Sequence, residues 1–409
     1  MSNKKPISNG VSQKFLTGQA VILAAGEGTR LRPLTLTKPK PLLPIANTYT
    51  LKHNLEQLPA KVREVILIVG YKKEIIRKEI GESFKGMKIR YVAQERQRGT
   101  GDAAKKAAPF LENRFLLLYG DDLYDKEDIK RCIFKNPSVS LKRVENPSNF
   151  GVVVVRGKKV IKLAEKPKKP LSNLVNSGLY FLDKSIFNFK IKKSKRGEYE
   201  FTDYLKQLIE ENKLYFSLAK NWLPISQIWN LFDANELLLS KISRKISGKI
   251  EKNVTLKGKV IVEKGTEIKS GSYVEGPVYI GENCQIGPNS FIRPSTSIQD
   301  NCKIGQAVEI KNSIIGKGTK IPHLSYVGDS IIGENCNLAA GTTVANLRHD
   351  NNSIKTVVKG VKVDTGRRKF GTVIGNNVKT GIGTLIYPGR KIWPGKTTLP
   401  GEIIKKDIV

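Results

Sequence analysis

The chain has 409 residues and a formal net charge of +34, from 71 Lys and Arg against 37 Asp and Glu. Its length exceeds one ordinary core and predicts two domains. The charge favours anionic partners without choosing among nucleotides, sugar phosphates, nucleic acid and acidic membrane, but no run approaches the ~18 apolar residues of a spanning helix, which excludes a membrane-spanning class.

Residues 1–18 are polar, read as a tail, and lack the apolar core of a signal peptide. The run "AVILAAG" from Ala20 predicts a buried strand ending at Leu23. The chain then reads "LAAGEGTRLRPLTLTKPKPLLP", Leu23 to Pro44. Ala24, Ala25, Gly26 and Gly28 let backbone N–H groups approach an anion closely, and Arg30, Arg32, Lys38 and Lys40 bring cations to the same mouth. Together, after a strand, these predict an anion site. It is not a Walker A loop, because no Lys follows Gly28, and not a dinucleotide fingerprint, because the third glycine is missing.

"LKHNLEQL" from Leu51 and "DAAKKAAPFL" from Asp102 carry helical patterns, and "EVILIVG" from Glu64 and "FLLLYGD" from Phe115 read as further buried strands. The alternation predicts a doubly wound α/β domain over 19–249. "FGVVVVRG" from Phe150, "KVIKLAEK" from Lys159 and "VNSGLYFL" from Val175 alternate less with helices and predict a mixed sheet lining a ligand pocket. Ligands in such folds sit at the carboxyl ends of strands. Two more polar clusters fall there, "AQERQRGTGDA" from Ala93 and "GDD" from Gly120. Asp121, just after a strand, suits a Mg²⁺ held against phosphates. "FDANELLLSKISRKISGKI" from Phe232 reads as a helix leading to a boundary near Ile250.

From Leu256, aliphatic residues recur every six positions through Ile310, then, after single-residue slips, at Ile315, Ile321 and Val327 and at Ile332, Leu338 and Val344. Only a parallel β-helix has that period, with one inward aliphatic per face. The pattern breaks over 347–372, a cation-rich stretch read as an extended loop thrown out from the solenoid, and resumes at Ile374. Cys132, Cys284, Cys302 and Cys336 lie far apart without C-x-x-C spacing, which argues against a zinc site and for a reducing, cytoplasmic setting. Of three histidines, His323 alone falls inside the repeat; His53 reads as packing or surface and His349 as non-catalytic.

Six stretches in fixed order carry a resemblance: "LAAGEGTRLRPLTLTKPKPLLP", "QERQRGTGDA", "YGDD", "FGVVVV", "AEKP" and "VNSGLYFL". Over Ala20 to Asn235 the chain resembles the sugar-1-phosphate nucleotidylyltransferases. The resemblance implies that Leu23, Ala24, Ala25 and Gly26 bind the nucleotide, that Arg30 and Lys40 clamp its triphosphate, and that Gln94, Gly99 and Thr100 face the base. Asp121 would ligate Mg²⁺, and Gly151, Glu165, Lys166 and Asn176 would bind the sugar phosphate. One departure stands out. The family carries a second metal-binding Asp, and in "WLPISQIWNLFDANE" from Trp222 the matching position is Pro224, with Ser226 for a Gly. Asp122 or Asn230 compensates, or metal binding is weak, or this half is inactive. "ANTYT" from Ala46 also lacks the usual Lys-Pro.

In the solenoid, "HLSYVGD" from His323 and "NLAAGTTVANLRHD" from Asn337 resemble the left-handed β-helix acetyltransferase domain of bacterial bifunctional GlmU enzymes and their archaeal relatives. By that resemblance His323 is the general base, Arg293, Lys311, Tyr326 and Asn346 contact substrate, Lys355 matches more loosely, and the protein is a homotrimer. The implied substrates are UTP and N-acetylglucosamine-1-phosphate in the first half, and acetyl-CoA and an amino-sugar-1-phosphate over 250–409. The nearest alternative is glucose-1-phosphate with UTP or dTTP and a structural β-helix. A rival of another class is a non-catalytic regulatory protein, because subunits of the eukaryotic translation-initiation guanine-nucleotide exchange factor share this layout. Nucleic acid is not an expected partner: at 7% aromatic, no basic patch is interleaved with stacking rings.

Overall fold

A computed structural model describes residues 18–409; residues 1–17, nearly all of the expected tail, lie outside the described residues. The contacts divide into two compact units. The first runs through Ala25 and adds Asn54–Gly120 and Tyr124–Trp222; the second holds Gly26–His53, Asp121–Leu123 and Leu223–Val409.

The first unit is built on one mixed sheet. Its strands are β1 (Gln19–Ala24), β2 (Glu64–Val69), β3 (Met87–Ala93), β4 (Arg114–Tyr119), β5 (Ser138–Arg143), β6 (Gly151–Arg156), β7 (Lys159–Glu165), β8 (Leu174–Asp183) and β9 (Tyr215–Leu218). From an edge strand at Ser83–Phe84 the order is β3, β2, β1, β4, β8, β5, β9, β7, β6. Strands β3, β2, β1 and β4 run parallel, with Ile22 opposite Leu67 and Leu118. These three side chains are fully buried, as the unbroken apolar runs require of a parallel sheet covered on both faces. Strand β8 then pairs antiparallel with both β4 and β5. The reversal gives the mixed half expected from the weaker strand–helix alternation.

The second unit is a three-sided parallel β-helix. Val262 pairs with Ile280 and Ile280 with Ile298; Ile268 pairs with Ile286 and Ile286 with Ile304. The eighteen-residue step is three faces of six, so every inward position falls on the ladder the period predicts. Ile268, Ile280, Ile292, Ile304 and Ile321 are fully buried in one apolar column. Each such side chain contributes roughly 1.5–3 kcal/mol. Pairing begins earlier than the expected boundary, because Lys245–Ile246 already joins Ile261–Val262.

The stretch 347–372 is not a plain extended loop. Lys355–Val358 and Val361–Asp364 form an antiparallel hairpin. Lys359 and Gly360 both have positive φ (51° and 79°), the geometry of a two-residue turn that matches strand twist. Ile354, Val358 and Phe370 of this excursion are buried with Leu31, Leu34 and Leu43 of the mouth segment and Phe232 of the helix Asn230–Ser240. Ile314, Ile331 and Val373 join them from the outer side of one β-helix face, which is therefore apolar on both sides.

Candidate active sites

In the second unit, Lys40 Nζ lies 2.5 Å from Asp121 Oδ2. Lys40 is only 8% exposed, whereas about a third of the Asp121 side chain meets solvent (34%). Gly28 explains how the lysine stem is seated. Its φ is +63°, and a Cβ on it would lie 2.9 Å from Lys40 Cβ. The Thr35 hydroxyl donates to the Gly28 carbonyl at 2.9 Å and fixes the turn. Arg30, in the single turn Thr29–Leu31, is exposed while Leu31 is buried. Lys38 pairs instead with Glu334 of the β-helix.

Leu123 and Leu223 exchange backbone hydrogen bonds at 2.9 and 3.1 Å, so Pro224 lies on the segment running beside Asp121–Leu123. Asp122 accepts the Ile225 N–H at 3.0 Å. Asn230, the first residue of its helix, accepts the Gln227 N–H at 2.8 Å and donates to Asp233 at 3.3 Å. Asp122 and Asn230 are therefore hydrogen-bonded within the fold, and Asp121, paired with Lys40, keeps about a third of its side chain in solvent. A single half-buried carboxylate that already pairs with Lys40 would fit a Mg²⁺ held mainly by substrate phosphates and water.

In the first unit, Gln94, at the carboxyl end of β3, is buried. Its side-chain N–H groups reach the Gly99 carbonyl at 3.1 Å and Asp102 Oδ2 at 2.8 Å. Both neighbours are acceptors, which fixes which end of the amide carries the N–H groups. Thr100 Oγ1 accepts the Phe201 N–H at 3.0 Å, and Gly101 N–H reaches the Tyr199 carbonyl at 2.7 Å, so Gln94, Gly99 and Thr100 are held as one cluster. Leu23 and Ala24 end β1, and the Ala25 carbonyl accepts from Tyr71 N–H and Gln97.

The sugar-phosphate candidates also come together. Gly151 and Glu165 are partners in the β6–β7 ladder, and a Cβ on Gly151 would lie 3.2 Å from Glu165 Oε2 and 3.5 Å from Asn176 Cβ. Asn176 donates to the Tyr180 hydroxyl at 2.6 Å and accepts from Gly178 N–H at 2.9 Å. Burial raises the Glu165 carboxyl pKa, against the opposing pull of Lys166 and Arg196. Arg196 lies 3.6 Å from Glu165 and 2.6 Å from Glu200. Sequence reasoning missed Arg196 and Glu200; "RGEYEF" from Arg196, dense in charge just before a helix, was the available signal.

On the β-helix, Tyr326, Asn346 and Lys311 converge. Asn346 donates to the Tyr326 hydroxyl at 3.1 Å and to Asp329 Oδ2 at 2.5 Å, and Lys311 lies 3.6 Å from the same carboxylate. Asp329, 3% exposed, also accepts from Asn312 at 2.7 Å; it is the hub of the cluster and was not singled out from sequence. Burial raises the Tyr326 phenol pKa, and the Lys311 ammonium lowers that of its neighbour Lys369. Arg293 pairs with Glu309 at 2.8 Å, one rung from Tyr326. His323 is exposed at the corner preceding Tyr326. Lys355 stands apart at the start of the hairpin, its carbonyl bonded to Arg390 at 3.0 Å.

Comparison with known proteins gives these clusters a context. The chain is 44% identical over 389 residues to the bifunctional protein GlmU of Methanocaldococcus jannaschii, covering 93% of this chain and 94% of that one. It is 49% identical over 398 residues to the GlmU of Methanococcus maripaludis, covering 95% of each.

The chain belongs to the bifunctional GlmU family.

A third relative, the bifunctional sugar-1-phosphate nucleotidylyltransferase/acetyltransferase of Sulfurisphaera tokodaii, is 41% identical over 401 residues, covering 95% of this chain and 98% of that one. Residues 19–241 match the nucleotidyl transferase family model and residues 274–409 the GMPPB C-terminal domain. A crystal structure of a glucose-1-phosphate thymidylyltransferase from Bacillus anthracis aligns with a TM-score of 0.50 at 26% identity, covering 54% of this chain and 94% of that one. Membership of the GlmU family makes this chain an enzyme with a nucleotidyltransferase half and an acetyltransferase half, and sets the regulatory alternative aside.

Proposed function

We propose that the chain joins N-acetylglucosamine-1-phosphate to UTP in its first half and acetylates glucosamine-1-phosphate with acetyl-CoA in its β-helix. The observation that carries this reading is the presence of both clusters, Lys40–Asp121 and Tyr326–Asn346–Asp329, in a chain similar throughout to GlmU enzymes.

In the first reaction a sugar-phosphate oxygen attacks the α-phosphorus of UTP, the bond to the β-phosphate breaks, and pyrophosphate leaves. No protein nucleophile is required, so the site holds polyanions in line and offsets growing charge. Arg30 and Lys40 hold the triphosphate, and Leu23, Ala24, Ala25 and Gly26 bind the nucleotide. The Gln94 carbonyl accepts the uracil N3–H, with Gly99 and Thr100 setting its position. Gly151, Glu165, Lys166 and Asn176 hold the sugar phosphate. Bound Mg²⁺ supplies charge neutralisation at the phosphates, with Asp121 as its protein ligand.

In the second reaction the amine attacks the thioester carbonyl, His323 takes its proton, and coenzyme A leaves as the thiol. An imidazole suits that step because it can both accept and donate a proton. Tyr326, Asn346, Lys311 and Arg293 position the acceptor, with Lys355 a looser contact.

A cytoplasmic setting is supported by four cysteines that are all buried and unpaired. Among the described residues, no helix is long and apolar enough to cross a membrane. A homotrimer follows from the family reading of the β-helix.

One preparation tests both halves: pyrophosphate release from UTP and thiol release from acetyl-CoA. Asp121→Ala should remove only the first and His323→Ala only the second. A preparation in which neither mutation moves either signal would refute the assignment.

A further inference from the structure

A cavity of about 580 Å³ lies within the second unit, away from the Tyr326 cluster. Three separate stretches line it: the mouth segment at Arg30 and Arg32, the hairpin turn at Lys359, and the coil carrying Arg390, Lys391 and Lys406. One acid, Asp407, stands among these six cations, and the Trp393 ring lines the same space. The volume falls in the range of small-ligand pockets, roughly 300–1,000 Å³.

Lys391 is the telling residue. It is 1% exposed, and its ammonium makes one hydrogen bond, to the Val357 carbonyl at 2.6 Å. Asp407 does not pair with that ammonium; its carboxylate accepts the Lys391 backbone N–H at 3.0 Å. Arg390 likewise spends its donors on the carbonyls of Pro388 and Lys355. Arg30, Lys359 and Lys406 form no salt bridge among the described residues. A buried ammonium that feels the Asp407 charge without pairing directly with it is costly, and an anion in the cavity would supply the direct partner it lacks. Several cations around one space suit charge spread over more than one phosphate, and guanidinium forks match phosphate oxygens.

We propose that this cavity is a polyphosphate-binding site, built by the β-helix and its hairpin and sharing Arg30 with nucleotidyl transfer. The shared role of Arg30 rests on the transferase reading above; the anion site does not.

The test is calorimetric titration of the full chain with tripolyphosphate and with pyrophosphate at fixed ionic strength. The wild type is compared with Lys359→Ala/Lys406→Ala, both exposed positions, and with Lys391→Met. The double variant should bind at least about tenfold more weakly, as loss of charge-assisted contacts implies. Lys391→Met should also bind more weakly, yet melt no lower than wild type without ligand, because it removes a buried charge that has no direct ion pair. Unchanged tripolyphosphate affinity in both variants would overturn the site. Pyrophosphate inhibition of transfer separates the two sources. Weakened inhibition in the double variant assigns the bound group to the reaction's own leaving group, and unmoved inhibition assigns it to a separate polyphosphate ligand. Intact binding in a chain that shows no transfer would sink the transferase reading and leave the site standing.

Discussion

Gly28 lies so close beneath Lys40 that any side chain at 28 would have to displace the lysine stem, and the Lys40 ammonium is thereby delivered to Asp121 at 2.5 Å. A backbone position, a buried cation and an exposed acid form one device. Each part has a separate failure.

Lys40→Ala and Asp121→Ala each remove one preorganised charge from the transfer site. Each should lower kcat for pyrophosphate release by about two to three decades, or roughly 2.7–4 kcal/mol. Gly28→Ala should also lower it while leaving acetyl transfer intact, because it strains a positive φ and pushes on Lys40 without touching substrate. Steady-state rates of both reactions on the same variant check this. Equal loss of both would mean general misfolding.

The acetyl half has an equivalent position at Gly328. A Cβ there would lie 2.4 Å from the Tyr326 hydroxyl and 2.6 Å from Asn346 Nδ2. Gly328→Ala should therefore break the Tyr326–Asn346 contact and abolish thiol release, with pyrophosphate release unchanged. Asp329→Asn should weaken the same activity less, because an amide keeps one acceptor oxygen for Asn346 while its NH2 faces Asn312 and the charge facing Lys311 is lost. Rates for the two variants side by side give the order.

Lys391 makes stability depend on pH in a defined window. Burial pushes its pKa down to about 8 from the usual 10.5, with Asp407 opposing and Arg390 adding to the shift. Between those values the unfolded chain holds more protons than the folded one. The contribution to stability therefore rises with pH across that window, with a limiting slope of about 1.4 kcal/mol per pH unit for one proton. Denaturant midpoints from pH 8 to 10.5 should show a positive difference slope for wild type minus Lys391→Met. A flat difference would mean that Lys391 is solvated.

Much of this was legible in the sequence, for a physical reason. Period six has no competing explanation, so inward residues such as Ile268, Ile304 and Ile386 could be named before any coordinates, and all are buried. The parallel strands announced themselves as unbroken apolar runs. The hairpin at 355–364 did not, although Val357 and Val358 flank Lys-Gly as a tight turn requires; its many cations mask the short alternation. The start of the solenoid at Lys245 was hidden in the same way. The apolar cluster joining Leu31, Phe232, Ile331 and Phe370 draws on four distant stretches, and no local pattern reports it. Asp329, Arg196 and Glu200 gain their meaning only from the partners that the fold supplies.

The most direct measurement is pyrophosphate release by the full chain with Mg²⁺, UTP and N-acetylglucosamine-1-phosphate, alongside dTTP and glucose-1-phosphate, in wild type and Asp121→Ala. Release with the first pair that vanishes in the variant is expected, showing that one carboxylate suffices beside Pro224. No release with either pair would contradict this expectation and leave the first half without its chemistry.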